Sequence, residues 1–219
     1  MTHASLTIIR REHRALSAML RAITLLLSEH RRRGTLPDFS ALRGMLFYVD
    51  EFHEMQHHPK ESLLLFPKLR GRATQTDAVL DRLDRDHSQS ERSIRDLEHL
   101  LLGLEMMGDT DQRESRLEKF ELTFKSYVGC CFDHMRVEET EVLPLAEAVL
   151  DAKDWAELDA AFLMNRDALA GSEAEEAYRP LFKRILRSLE ASRVGASIGS
   201  ALEAFSGSAS PKFDSPQRD

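Results

Sequence analysis

The chain has little of what marks a β protein, a secreted protein or a membrane protein. No stretch alternates apolar and polar residues for long enough to make a convincing strand, which excludes sandwiches and barrels. No run approaches the roughly 18 apolar residues of a membrane-spanning helix. The amino-terminal MTHASLTIIRREHRAL lacks the uninterrupted apolar core of a secretory signal. The only two cysteines, Cys130 and Cys131, are neighbours in sequence, and neighbours on a helix point about 100° apart, so they do not build a disulfide framework. A reducing, cytoplasmic setting is the expectation. An excess of positive charge is also missing: 37 acidic against 30 basic residues give a net charge of −7, which favours neither nucleic acid nor an anionic membrane as a partner.

What is present is helical periodicity. Only ten glycines and seven prolines interrupt 219 residues. Ile9, Leu16, Leu20, Ile23 and Leu27 mark the apolar stripe of a first helix over 5–30, with Gly34 at its end. A second helix is expected from about 38 to 70, carrying Leu42, Met45, Leu46, Val49, Phe52 and Leu64 inward. A third runs over about 77–107 with Leu80, Leu83, Ile94, Leu97 and Leu101, and a fourth over about 112–150 with Phe120, Phe124, Tyr127 and Leu145. Short links between long helices imply an all-α, up-and-down four-helix bundle. Shorter helices near 155–164 and 173–189 are expected on its outside, giving one domain over 1–190, with a disordered Ser- and Gly-rich tail over 191–219.

The stretch FHEMQHHPKESLLLFP, residues 52 to 67, places ionisable groups inside the second apolar helix. His57 and Glu61 are four apart, on one helical face. His134 and Glu138 repeat that spacing in DHMRVEETEVLP, which also ends in a proline. Pro59, between His57 and Glu61, predicts a kink or a bulge. His13 and His87 lie on the apolar stripes of the first and third helices. Each of the four helices thus buries one histidine, and two of them add a glutamate. Burying so many ionisable groups costs several kcal/mol per unpaired charge, whereas one shared cation site satisfies them together. Imidazole with carboxylate and no thiolate suits Fe, Mn or Zn, and inward Glu and His in a helical core can hold two such ions. With His13, His57, His87 and His134 as terminal ligands and Glu61 and Glu138 as bridges, each metal keeps a position for a small exogenous ligand.

Taken together, His13, HHPKE at 57–61 followed by LLLFP, His87 in DRDHSQSER, and HMRVEETEVLP at 134–144 resemble the hemerythrin-like HHE cation-binding domain family over about residues 5–150. The resemblance implies a four-helix bundle around two non-haem iron ions held at the six positions named. Animal oxygen carriers of this kind have a further histidine one turn along the third helix, where this chain has Glu91. The expected activity is therefore binding of, or reaction with, NO, peroxide or O₂, with an electron donor as partner; the alternative is iron delivery to a recipient protein, or sensing, without turnover. His53 is expected behind the ligands, or as a fifth nitrogen ligand if the Pro59 bulge turns it inward. His58 is expected to face a neighbouring helix or solvent. Glu139 is read as an outward charge that reaches the site only if its helix is distorted. Tyr127 is a candidate hydrogen-bond donor behind the ligands, and Cys131 a small core residue that can border the pocket.

Overall fold

The computed structural model describes residues 3–72, 76–165, 167, 169–171, 180, 181, 183, 185 and 187, and among them there is helix and no strand. The expected tail over 191–219 lies outside the described residues, as does most of the expected helix over 173–189. None of the described helices is long and apolar enough to cross a membrane.

Helix α1 (Ala4–Arg33) ends in Gly34, whose positive φ of 65° lets its amide turn back onto the carbonyls of the last turn. The second rod starts at α2 (Phe39–Tyr48), where the Asp38 side chain caps the Ala41 amide. It continues without a break through π1 (Val49–His57), α3 (His58–Lys60), π2 (Glu61–Leu65) and α4 (Phe66–Leu69). After α5 (Asp77–Met106), the fourth rod comprises α6 (Arg113–Val137), π3 (Glu138–Val142) and α7 (Leu143–Val149). Helix α8 (Ala152–Phe162) follows, opened by a capping box between Asp151 and Asp154.

The three π-helical segments among the described residues share a cause. Each ends two residues before a proline: π1 before Pro59, π2 before Pro67 and π3 before Pro144. A proline has no amide hydrogen to give to the carbonyl four residues back, and its ring pushes against that carbonyl. A widened turn, closed by bonds five residues apart such as His58 N–H to His53 O, Phe66 N–H to Glu61 O and Leu143 N–H to Glu138 O, relieves the clash without ending the helix. The distortion expected from Pro59 alone therefore occurs three times, and Glu61 and Glu138 each open a π segment six residues before its proline.

The rods pack side by side: α5 along α6, α1 against α6 and π1, and α2 with π1 against α5. Their apolar faces form two separate cores. One holds Leu16, Leu20, Ile23, Leu46, Phe52, Ile94, Phe120 and Phe124; the other holds Leu6, Ile9, Leu65, Phe66, Leu83, Val137, Leu143 and Phe162. On every rod the ionisable residues fall between a residue of one core and a residue of the other, so they form a polar layer sealed from two sides. Helix α8 does more than coat the exterior. Asp159 Oδ1 accepts from the Ser5 amide at 2.8 Å and hydroxyl at 2.6 Å, and Phe162, fully buried, sets its ring edge-on to that of His57 at 6.1 Å.

Candidate metal centre

Two groups of four side chains present potential ligand atoms within 4.8 Å of one another: His13, His57, Glu61 and Glu138, and then Glu61, His87, His134 and Glu138. All six residues are buried. The two glutamates belong to both groups, with one oxygen turned to each. Glu61 Oε1 lies 3.1 Å from His57 Nε2 while its Oε2 lies 3.4 Å from His87 Nε2. Glu138 Oε2 lies 3.3 Å from His13 Nε2 while its Oε1 lies 3.2 Å from His134 Nε2. His87 Nε2 and His134 Nε2 stand 3.0 Å apart. The structure thus brings together the six residues that the sequence singles out, in two clusters that share both glutamates.

Whether a cation fits is decided by the atoms left over. His13 Nε2, His57 Nε2 and all four oxygens of Glu61 and Glu138 are buried and lack hydrogen-bond partners, although they crowd together at about 3 Å. Protein interiors rarely leave such atoms unmatched. Two ligand atoms about 2.1 Å from one ion and at right angles to each other lie about 3 Å apart, which is the spacing found here. Lone pairs that converge without donors between them fit a bound metal ion.

The opposite ring nitrogens tell the same story from behind. His57 Nδ1 meets Glu12 Oε2 at 2.7 Å, His13 Nδ1 meets Glu139 Oε1 at 2.9 Å, and His87 Nδ1 meets the Ser62 hydroxyl at 2.8 Å, itself donating to Asp84. A histidine that donates through Nδ1 to an acceptor is locked with Nε2 free for a metal. Glu139, read from sequence as an outward charge, is half-exposed yet reaches back to hold His13.

Of the two directions expected for His58, a neighbouring helix or solvent, the structure shows the first, with its ring stacked on that of His87 in α5 at 3.9 Å. It is buried, its Nδ1 meets Glu54 Oε2 at 2.9 Å, its Nε2 has no hydrogen-bond partner, and the residue joins His87 and His134 in a third cluster. It faces inward because π1 and Pro59 re-phase the helix at this level, so that the adjacent residues straddle the polar layer, His57 beside His13 and His58 beside His87 and His134. His53, by contrast, is buried beside both rings, 4.8 Å from that of His57 and 4.2 Å from that of His58, but is not among the clustered atoms. Glu91 pairs outward with Arg95 at 2.5 Å. Tyr127 donates to Glu54 Oε1 at 2.8 Å, and so stands behind His58 rather than at the metal-facing atoms. Cys131 is buried, with its thiol pushed up to about 12 chiefly by burial. It lines, with Ser90, Ser93, Tyr127, His58 and His134, a cavity of about 240 Å³ between α5 and α6.

The electrostatics of the metal-free site follow from this crowding. Burial alone lowers the pKa of His57, but Glu61 and Glu12 outweigh it and raise it well above the usual value. His134 is likewise carried against burial to about 10, by Glu138 first. Glu138 is held well below the carboxylate range by His134 and His13, which overcome its own burial. His53 and His58 are pushed well below the usual imidazole value, by burial and then by the neighbouring rings.

Glu12 and Glu54, which hold His57 and His58, have no counterpart in the sequence reading. Signals for both existed: Glu12 falls on the three-and-four rhythm Ser5, Ile9, Glu12, Leu16 of the buried face, and Glu54 stands four before His58. Comparison with known families finds that the model of the hemerythrin HHE cation binding domain matches residues 4–146. No curated protein and no solved structure matches the chain significantly.

Proposed function

The chain belongs to the hemerythrin HHE cation-binding family, and from that premise we propose that it is an up-and-down four-helix bundle holding two non-haem iron ions that bind or react with a small molecule. His13 and His57 would hold one ion and His87, His134 and His58 the other, with Glu61 and Glu138 shared between them. The observation that carries this reading is the pair of four-residue groups sharing both glutamates, with their converging atoms buried and unmatched. Bound iron supplies one-electron chemistry toward O₂, NO or peroxide.

The remaining roles fall to the protein. Glu12, Glu139 and Glu54 orient His57, His13 and His58. The two apolar cores keep bulk water from the ends of the polar layer. The cavity between α5 and α6 reaches His58 and His134 past Ser90 and Ser93 and admits a molecule of a few heavy atoms, so the small ligand approaches from that side.

Metal analysis of protein produced with iron tests the first half: two iron ions per chain are expected, with loss of iron from the doubly substituted His57→Ala, His134→Ala protein. Iron content below two per chain, or unchanged by that double substitution, refutes it. Rapid mixing of the reduced protein with O₂, H₂O₂ and NO tests the second half, and spectra unmoved by all three overturn the small-molecule role while leaving iron binding intact.

A further inference from the structure

We infer that Asn165, which follows α8 and lies beyond the matched residues 4–146, is a positioning residue for His57, acting through Glu12. The inference rests on the two-iron reading above.

Asn165 is buried, and its backbone amide closes the end of α8 on the Phe162 carbonyl at 3.0 Å. That closure aims its side chain into the bundle. The amide Nδ2 donates to both oxygens of Glu12, at 2.8 and 3.0 Å, and Glu12 Oε2 in turn meets His57 Nδ1 at 2.7 Å. The amide oxygen accepts from the Lys60 ammonium, which also donates to the Gln56 carbonyl at 3.0 Å. An ammonium on one side and a carboxylate on the other leave only one orientation for the amide: oxygen to Lys60, nitrogen to Glu12. Two residues on, Asp167 is buried and accepts from the Tyr48 hydroxyl at 2.7 Å, which fastens the same segment to α2. The chain from α8 thus grips the second rod on both sides of the polar layer's edge, with Phe162 against the His57 ring and Asn165 behind its acceptor.

The consequence is specific to one ion. Glu12 serves His57, which belongs to the group with His13, whereas His87 and His58 are held from behind by Ser62 and Glu54. Loss of the Asn165 donor frees Glu12 to swing, loosens His57 and weakens one metal position only. Loss of a residue that orients a ligand typically costs ~10–100-fold in metal affinity.

The test is anaerobic Fe²⁺ titration of the full chain against a competing chelator, for the wild type and for Asn165→Ala and Asn165→Asp. Asn165→Asp keeps the side-chain shape and replaces the donor with an acceptor facing Glu12, so it separates the hydrogen bond from packing. The expected result is that one of the two Fe²⁺ equivalents weakens ~10–100-fold in both variants, while the other stays at wild-type affinity. A merely structural role weakens both equivalents together, or spares Asn165→Asp, and either result overturns the inference. Two ions held equally by the wild type and both variants overturn it alone; a wild type that binds fewer than two ions overturns the two-iron reading and this inference with it.

Discussion

Replacing Glu138 with glutamine keeps the shape of the side chain and removes its charge, which should make the metal-free protein less stable at pH 7 but hardly at pH 10. His134 is carried from the ordinary 6.5 to about 10, with Glu138 the largest of the influences that outweigh burial. A histidine raised on folding contributes stability that is fully present below its unfolded pKa and is lost as pH rises through its folded one. At pH 7 the three pH units up to that value, at about 1.4 kcal/mol each, correspond to about 4 kcal/mol for His134 as a whole. At pH 10 less than about 1 kcal/mol of this is left. His13, 3.3 Å from Glu138, adds in the same direction. Relief of the repulsion between Glu138 and Glu61 favours the variant, but both are ionised across this range, so that gain does not change with pH. Urea denaturation of chelator-stripped wild type and Glu138→Gln is therefore expected to show a gap of about 2–4 kcal/mol at pH 7 that closes toward pH 10. A gap that is constant or widens over that range refutes the ion-pair account. Iron reverses the sign, because metal must displace the protons on His57 and His134, so its affinity should rise with pH where the metal-free fold weakens.

Three further outcomes are expected. His58→Ala should weaken one iron equivalent by at least the ~10–100-fold that loss of an orienting partner costs, with Glu54→Gln showing a smaller loss at the same position; equal iron affinity in wild type and His58→Ala would remove His58 from the ligand set. Ser93→Trp, filling the cavity between α5 and α6, should slow the reaction of the reduced protein with H₂O₂ by about tenfold at unchanged iron content, as measured by rapid mixing. Phe66, fully buried with its ring 5.5 Å from that of His87, should cost about 3–5 kcal/mol when replaced by alanine, measured by urea denaturation.

The helices and the six central residues were legible in the sequence because each is set by spacing along one rod. His57 with Glu61 and His134 with Glu138 are neighbours at four residues in any helix, and His13 and His87 sit on unmistakable apolar stripes. That His58 can face a neighbouring helix was legible, but its place beside both His87 and His134 was not, since that depends on helical phase, and the assumption of a regular α-helix fails where π1 inserts a wider turn. Glu12 and Glu54 look like ordinary surface acids until a second rod supplies the histidine that uses each of them. Asn165 lies in the link after the helix expected near 155–164, where nothing local distinguishes it, and the packing of α8 on α1 brings it to Glu12.

The three prolines bear on how the centre is filled. Because Pro59, Pro67 and Pro144 shape the π turns, the directions of His57, His58, Glu61 and Glu138 are written into the covalent chain and do not wait for a metal to pull them into place. The ordering of the backbone around these side chains is then settled during folding.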